Sequence, residues 1–270
     1  MKKHHYTLWV ISLVIIVAIV VGGALLFKKS TTKTDSNNKT IKIATAGTIF
    51  PNAYKENGKL TGYDVEIAQA AAKAEGYKVK FTTTDFDGVF GQVDAGRVDT
   101  IANDIGATPE RRKKYIFSDK YNKETTNIAV KNGTQYQQIK ELEGKTVATS
   151  GAGNNFIETL KEYDPQVKIK VYETRDQAVQ ALITDRVDGL LYSRGTLSAL
   201  IKQQDLKWRV IDEDASSPQA IAYPFKDDEA GHKSRAVFNK GLKKIKADGT
   251  LNKISDKYFG YDMTQVISKK

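Results

Sequence analysis

Apolar and polar positions along the chain follow two different periods, and the two periods alternate. Residues 41–45 alternate as a strand does, whereas residues 64–75 repeat their apolar side chains at helical spacing and run into Gly76, a residue typical of a helix C-terminus. A strand at 77–82, a helix around 88–95 and a strand at 98–102 follow. Strands that alternate with helices predict a parallel sheet with helices packed on its faces.

This order of elements returns in the second half of the chain. It comprises a strand at 146–149, a helix at 155–162, a strand at 167–172, a helix at 177–183 and a strand at 187–192. Thr174 and Gln177 have the spacing of a capping box, which marks the start of the second of these helices. We therefore predict two α/β units of one topology.

The tripeptide Arg-Val-Asp stands at the same place in both units, after the second helix and before the third strand. The two copies are RVDTIAND, from residue 97, and RVDGLLYS, from residue 186. We predict that Asp99 and Asp188 fix the turn into the third strand of each unit and contact no ligand.

The last part of the chain carries two helical patterns, at 232–246 and 250–258, with no strand after them. Helices of this kind are expected to pack onto an existing unit. We assign residues 41–122 and 226–270 to the first lobe, 127–219 to the second lobe, and 123–126 and 220–225 to the crossings. Two crossings between lobes form a hinge.

The stretch before residue 41 differs from the rest. Residues 8–27 carry no charge, lie between lysine pairs, and would span about 30 Å as a helix, the thickness of a bilayer's hydrocarbon core. This run is longer than the apolar core of a cleaved signal peptide, so we interpret residues 1–29 as an uncleaved signal anchor, with a cleaved signal as the alternative. Residues 30–40 are polar and predict a flexible linker.

Composition excludes several kinds of chemistry. The chain has no cysteine and only three histidines, His4, His5 and His232, so disulfides, thiolate nucleophiles and metal sites built from these residues are excluded. A serine hydrolase of the folded part would depend on His232 alone. Half of the formal net charge of +10 comes from six lysines and one aspartate in the first 40 residues, and acidic residues are mixed through the remainder. That mixture disfavours a nucleic-acid partner.

The segment 103–117 is the strongest candidate for binding chemistry because ligands of open α/β sheets bind at the carboxyl ends of strands. Thr108 suits the N-cap of a short helix, Pro109 its first position and Arg111 its first turn. A guanidinium beside free backbone N–H groups can bind a carboxylate through two parallel bonds. The alternative is that Arg111 only extends a basic helix together with Arg112.

Several motifs in a fixed order give the chain a resemblance to a known family. They are GYDVEIA at 62–68, TTDFDGVF at 83–90, RVDTIANDIGATPERRKKYIFS at 97–118, LEGKTVATSGAG at 142–153 and ADGTLNKISDKYFG at 247–260. Over residues 41–262 the chain resembles the extracellular solute-binding proteins of ATP-driven importers of polar amino acids. The segment KYFGYDMT, from residue 257, is most similar to the cystine-binding branch.

The resemblance implies a two-lobed α/β fold of the type 2 periplasmic-binding class, with the two crossings as its hinge and the membrane-anchoring segment before it. It implies a monomer without cofactor, metal or enzymatic activity. The protein would work at the extracellular face of a Gram-positive cell membrane, held there by residues 1–29 or secreted if these are cleaved. Its lobes would close around a polar amino acid, with cystine favoured, and deliver it to an ABC permease.

Site residues follow from the resemblance position by position. Arg111 matches the arginine that binds the α-carboxylate, with backbone N–H groups near Gly106 beside it. The other matched positions are Asn103 and Asp104 for the amino-acid head, Phe86 for an aromatic contact, Gly153 and Asn154 for backbone amides of the second lobe, and Ser193.

The chain departs from the family pattern at three places. Ser193 stands where the family often has an aspartate that accepts the α-ammonium, so we expect Asp104 to supply the anion. Ala46 and Ile49 stand where an acidic residue and an aromatic are common, and Phe50 is the candidate for the missing ring. The lipoprotein cysteine is absent, which makes the N-terminal segment the expected anchor.

Two other functions are compatible with parts of this pattern. Some proteins that resemble the family are cyclohexadienyl dehydratases, which need a general acid in the cleft, and the sequence offers no second acid to place beside Asp104. A basic surface adhesin is compatible with the net charge. The loop GAGNN at 151–155 resembles a dinucleotide-binding loop but lacks its third glycine.

Overall fold

The computed structural model describes residues 39–263. The predicted anchor at 1–29, and the predicted linker up to residue 38, lie outside the described residues. The first strand already includes Thr40, the last residue assigned to the linker. Within residues 39–263, no helix is both long enough and apolar enough to cross a membrane.

Strands and helices follow one another along the described chain. The strands are β1 Thr40–Thr45, β2 Thr48–Ile49, β3 Ala53–Glu56, β4 Lys59–Thr61, β5 Lys78–Thr83, β6 Thr100–Ile101, β7 Tyr115–Phe117, β8 Asn122–Glu124, β9 Thr126–Lys131, β10 Thr146–Ser150, β11 Lys168–Tyr172, β12 Gly189–Ser193, β13 Trp208–Val210, β14 Gln219–Ile221 and β15 Pro224–Lys226. The helices are α1 Tyr63–Ala74, α2 Gly88–Asp94, α3 Pro109–Arg112, α4 Asn155–Tyr163, α5 Arg175–Ile183, α6 Arg194–Gln203, α7 Glu229–Ala247 and α8 Thr250–Phe259.

Two five-stranded sheets organise these elements into two lobes. The first lobe is built on the sheet β5-β1-β6-β15-β7 and the second lobe on the sheet β11-β10-β12-β9-β13. In each sheet the first three strands are parallel, and the fourth runs antiparallel to the third. The two α/β units that the repeated pattern predicts are therefore present, with the same strand order.

The two Arg-Val-Asp copies make the same contacts in the two lobes. The backbone N–H of Lys42, in β1, donates to the Asp99 carboxylate at 2.7 Å, and the N–H of Thr146, in β10, donates to Asp188 at 2.9 Å. The N–H groups of the two aspartates donate in return to the carbonyls of Lys42 and Thr146. Each aspartate thus ties the start of the third strand to the first strand, which confirms the structural role predicted for both.

The chain crosses between the lobes twice, and the two crossings pair with each other. Strands β8 and β14 form a separate antiparallel ribbon, in which Gln219 lies opposite Glu124. Pro224 and Phe225, which the sequence analysis placed in the second crossing, are part of β15 in the sheet of the first lobe. Strand β15 lies between β6 and β7, and this pairing gives hydrogen-bond partners to backbone groups of both strands that would otherwise lack them.

A small antiparallel sheet with the order β2-β3-β4 lies between β1 and α1, where the sequence analysis assigns no element. Its strands contain two to four residues, which is too short for an alternating pattern to be recognised in the sequence.

The two C-terminal helices α7 and α8 pack on α1 and so belong to the first lobe. Helix α1 buries the face formed by Tyr63, Asp64, Val65, Ile67, Ala68, Ala71 and Ala72. Gly241 of α7 lies so close to α1 that a Cβ there would meet the carbonyl oxygen of Ala71 at 2.1 Å. Helix α1 ends at Ala74, with Glu75 as its C-cap and Gly76 after it at a φ of +77°, as the glycine signal predicts.

Candidate functional site

A cavity lies between the lobes, where the carboxyl ends of strands from both sheets face each other. Its walls are formed by Ile49, Phe86, Asn103 and Asp104 of the first lobe and by Ser150, Asn154, Asn155, Phe156, Arg175 and Tyr192 of the second. We call it the interlobe cavity. Open α/β sheets bind their ligands at this end of the strands.

Arg111 projects from α3 and joins the two lobes beside this cavity. Thr108 caps the helix by accepting the N–H of Arg111, as predicted. The guanidinium donates from Nη1 to the carbonyl of Gly106 at 3.0 Å, and from Nη2 to the carbonyl of Gly153 at 3.1 Å. Nη1 also lies 3.5 Å from Oδ1 of Asn155. Gly106 thus presents its carbonyl to the guanidinium, whereas the resemblance implied backbone N–H groups near Gly106 that bind the carboxylate together with Arg111.

The electrostatic surroundings leave Arg111 charged at neutral pH. Burial lowers the pKa of the guanidinium to about 10, against the opposing effect of Glu158 and Asp104. The ring of Phe90 lies 5.1 Å from the guanidinium carbon. Among the described residues, the bonds to Gly106, Asn155 and Gly153 use three of the five N–H groups. The N–H of Nε and one N–H of Nη2 remain for the two oxygens of a carboxylate.

Asp104 supplies a carboxylate to the cavity wall, as predicted. Its backbone has a φ of +56°, and its N–H donates to the carboxyl of Asp64. Burial raises the pKa of the Asp104 carboxyl to about 6, and the guanidiniums of Arg175 and Arg111 hold it from rising further. The group is therefore mostly ionised at neutral pH and can accept a bond from an ammonium.

Asn103 lines the cavity, but its side-chain oxygen already accepts hydrogen bonds from other residues of the protein. Its Oδ1 accepts the N–H of Ala46 at 2.8 Å and the hydroxyl of Thr45 at 3.2 Å. Its Nδ2 is buried and has no partner within residues 39–263. The Asn103 side chain therefore holds the loop after β1 through its oxygen. Its nitrogen remains a free donor, although buried donors normally have a partner.

Of the two predicted aromatic contacts, Phe86 lies in the cavity wall and Phe50 does not. The Phe86 ring also packs against Gly151 of the second lobe. Phe50 stacks edge-on against Tyr54, with ring centroids 5.0 Å apart, and its neighbour Ile49 lines the cavity instead. Strand β2 ends at Ile49, and Phe50 lies in the turn that follows it.

The backbone amides predicted in the second lobe are engaged by the protein itself. The N–H of Gly153 donates to the carboxylate of Asp87, in the first lobe, at 2.8 Å, and the N–H of Ala152 donates to it at 3.3 Å. The N–H of Asn154 donates to Gly151, and its side chain caps α4 by accepting the N–H of Ile157. The loop thus forms a contact between lobes and a helix cap.

Ser193 is buried and caps α6 by accepting the N–H of Thr196 at 3.4 Å. It does not line the interlobe cavity, whereas its neighbour Tyr192 does. The carboxyl of Glu124, in the hinge strand β8, lies beside Ser193. Burial raises the pKa of Glu124 well above its usual range, Asp104 raises it further, and a bond with Ser193 opposes both effects. The sequence analysis did not identify this carboxyl.

The structure also reveals cavity residues that the sequence analysis missed. Arg175 begins α5 and is 5% exposed, and Asn155 donates from Nδ2 to Gln219 of the hinge strand β14 at 2.9 Å. The capping box at Thr174 was a usable signal, because it places the next residue at the carboxyl end of β11. Nothing local in the sequence places Gln219 near the cavity, since the hinge brings it there.

A groove leads from the cavity region to solvent between the lobes, and we call it the interlobe groove. It is lined by Ala46, Gly47, Thr48, Ile49, Lys55, Thr83, Thr84, Asp85 and Phe86 of the first lobe and by Ser150, Gly151, Glu173, Thr174 and Arg175 of the second. Phe86 and Arg175 line both spaces, so the groove continues the cavity towards solvent.

The family described as bacterial extracellular solute-binding proteins, family 3, matches residues 41–261. The "Probable amino-acid-binding protein YxeM" of Bacillus subtilis (strain 168) is 38% identical over 235 residues, which cover 86% of this chain and 88% of the relative. The "L-cystine-binding protein TcyA" of the same organism is 35% identical over 232 residues, which cover 83% of each chain.

A solved structure has the same fold. It is described as "Molecular and structural basis of glutathione import in Gram-positive bacteria via GshT and the cystine ABC importer TcyBC of Streptococcus mutans". It aligns with a TM-score of 0.77 at 28% identity and covers 84% of this chain and 97% of the other.

Proposed function

The chain belongs to the bacterial extracellular solute-binding proteins, family 3, with their two-lobed α/β fold, and we propose that it binds an amino acid for an ABC importer. The lobes would close around the amino acid, and the closed form would deliver it to a permease. We further propose L-cystine as the favoured ligand, and residues 1–29 as the anchor that keeps the protein at the extracellular face of the membrane.

Arg111 is the observation that carries this proposal. A charged guanidinium stands on α3, contacts the second lobe, and keeps the N–H of Nε and one N–H of Nη2 for a carboxylate. Asp104 lies near enough to influence the pKa of Arg111. A cation and an anion that lie near each other suit the carboxylate and ammonium of an amino-acid head. A ligand that touches both lobes favours the closed arrangement.

The preference for cystine is supported by two of the proteins compared. TcyA is named an L-cystine-binding protein, and the Streptococcus mutans structure is described together with a cystine importer. YxeM, which is slightly more similar in sequence, is named only as an amino-acid-binding protein.

Replacing Arg111 tests the site. We expect Arg111→Ala to weaken binding of the amino acid by about 2 to 4 kcal/mol, because the carboxylate loses its charge-assisted bonds. Arg111→Lys should recover only part of this loss, since an ammonium has no bidentate edge. Calorimetric titration with L-cystine and the common amino acids measures both effects.

Arg112→Ala is the matched control, because Arg112 is the exposed neighbour on the same short helix and contacts Ala107 and Phe117. The affinity of Arg112→Ala for the amino acid should equal that of the unmodified protein. An unchanged affinity in Arg111→Ala would remove the basis of the proposed site.

The dehydratase alternative gains one observation from the structure. The sequence offered no second acid beside Asp104, but in the structure Asp64 accepts the N–H of Asp104. Asp104 and Asp64 also lie close enough to Glu124 to raise the pKa of its carboxyl. Neither Asp64 nor Glu124 lines the cavity. We therefore expect no product when a cyclohexadienyl amino-acid precursor is incubated with the protein and followed by mass spectrometry, and turnover would favour the enzyme.

A further inference from the structure

Arg175 forms part of the second lobe's wall of the interlobe cavity and is not needed for an α-amino-acid head. Its side chain is buried, with the guanidinium carbon 4.4 Å from the centroid of the Tyr192 ring. Nη1 donates to the carbonyl of Phe50 in the first lobe. Nε is buried and has no partner within residues 39–263. A guanidinium buried to this degree normally has partners for its donors.

The charges at the cavity do not balance once an α-amino-acid head is bound. A carboxylate on Arg111 and an ammonium on Asp104 would pair those two side chains and leave Arg175 without an anion. Asp104 is the carboxylate among the residues that line the cavity. Asp64 and Glu124 lie nearby but do not line the cavity, and burial raises the pKa of each carboxyl well above its usual range. A second carboxylate on the ligand would supply the missing negative charge inside the cavity.

The position of Arg175 indicates where on the ligand that charge lies. Arg175 lines both the interlobe cavity and the interlobe groove, whereas Asp104 lines only the cavity. A ligand whose head is held by Arg111 and Asp104 would thus reach Arg175 with its far end. The groove beside Arg175 also contains the exposed carboxylates of Asp85 and Glu173, which can face a cation.

On this basis, and resting on the proposed function, we propose that Arg175 binds a second carboxylate at the far end of the ligand. The substrate class is then an amino acid with two amino-acid heads, as in L-cystine. The distal ammonium would face Asp85 and Glu173 at the groove. Because the chain contains no cysteine, a disulfide ligand cannot exchange with a protein thiol while it is bound.

Two ligands that differ only at the distal head test the proposal. L-Cystine carries both heads, and S-methylthio-L-cysteine keeps the disulfide and one head but has a methyl group at the other end. Calorimetry would measure both ligands with the full chain and with Arg175→Gln, Arg175→Lys and Arg186→Gln. Arg186 is exposed near the end of the same helix and carries the same charge, which makes it the matched control.

We expect Arg175→Gln to weaken L-cystine binding by about tenfold or more and to change S-methylthio-L-cysteine binding by less than about threefold, since only the first ligand loses a charge-assisted bond. Arg175→Lys should lie between the unmodified protein and Arg175→Gln for L-cystine. Arg186→Gln should bind both ligands as the unmodified protein does. Thermal unfolding of each variant would establish that it is folded.

An equal loss for both ligands would overturn the proposal, because Arg175 would then act only through its bond to Phe50 between the lobes. An unmodified protein that binds both ligands equally well would overturn it too. If neither ligand binds but another amino acid does, the cystine preference fails separately. The pair L-glutamate and L-glutamine then decides the role of Arg175: a preference for glutamate that Arg175→Gln abolishes supports it, and its absence overturns it.

Discussion

At the scale of single residues, the space beside a glycine determines how closely two elements approach. Gly241 in α7 faces the backbone of α1, and a Cβ there would meet the carbonyl carbon of Ala71 at 2.6 Å as well as its oxygen. Backbone atoms cannot give way as the end of a flexible side chain can. Gly91 in α2, by contrast, has no atom within 4 Å of where its Cβ would be.

We expect Gly241→Ala to lower the free energy of unfolding by about 1 to 3 kcal/mol, because α7 must move away from α1. In an open helical position the same change stabilises a protein, since alanine favours the helix by about 1 kcal/mol over glycine. Urea unfolding followed by circular dichroism measures the effect.

Gly91→Ala is the matched control and should raise the free energy of unfolding by about 0.5 to 1 kcal/mol. If the free energy of unfolding changed in the same direction in both variants, the close packing of α7 on α1 would not explain the effect of Gly241→Ala.

At the scale of elements, the hinge strand β8 carries a buried acid. Glu124 accepts a bond from Asn122 at 3.0 Å through Oε1, while its Oε2 has no partner within residues 39–263. Burial raises the pKa of Glu124, so the folded protein binds the proton more tightly than the unfolded chain does. This contribution to stability is fully present below the unfolded pKa and is lost as the pH rises through the folded pKa.

Glu124→Gln should remove this dependence, because an amide has a similar shape and does not ionise. We expect the unmodified protein to lose stability relative to Glu124→Gln as the pH is raised above about 4.3, the ordinary pKa of a glutamate, until it passes the raised pKa of Glu124. The loss is at most about 1.4 kcal/mol per pH unit for one proton. Asp104, with a pKa of about 6, adds a further loss of stability to both proteins as the pH rises from about 4 to about 6. Urea unfolding at a series of pH values measures the difference.

Glu162→Gln, at an exposed position of α4, serves as the control and should parallel the unmodified protein. Parallel curves for Glu124→Gln as well would mean that Glu124 does not titrate in this range.

Elements with local signals could be predicted from the sequence. The capping box at Thr174, the cap at Thr108 and the glycine after α1 each fix a helix end through residues a few positions apart. The sheet of β2, β3 and β4 has no such signal, because its strands are too short. The site follows the same rule. Arg111 and Asp104 belong to one short segment and were identified, and Arg175 had a local signal in the capping box before it. Gln219 comes near the cavity, where it bonds with Asn155, only through the arrangement of the whole lobes.

At the scale of the molecule, contacts between the lobes hold the closed arrangement. The carboxylate of Asp87 in the first lobe accepts the N–H groups of Gly153 and Ala152 in the second. Asn52 of the first lobe donates to Thr196 of the second at 3.3 Å. The loop that carries Gly106 pairs with Ile221 of the hinge, so the site and the hinge are joined directly.

We expect Asp87→Ala to open the molecule, because two backbone N–H groups of the second lobe lose their acceptor. Every amino acid should bind about threefold to tenfold more weakly, irrespective of its distal group, since only the closed arrangement is affected. Small-angle X-ray scattering of the protein without ligand should show a larger radius of gyration, and calorimetry gives the affinities.

Asp256→Ala, at an exposed position of α8, is the control and should leave both measurements unchanged. A loss confined to ligands with two carboxylates would assign Asp87 to ligand recognition and not to closure.

The strand order has a consequence for synthesis of the chain. Every strand in the sheet of the second lobe lies between residues 126 and 210. The sheet of the first lobe begins at Thr40 but is incomplete until β15, which ends at Lys226. A chain that emerges with its N-terminus first therefore has all strands of the second lobe available while the first lobe still lacks its fourth. The half of the protein that is made first is the half whose sheet is completed last.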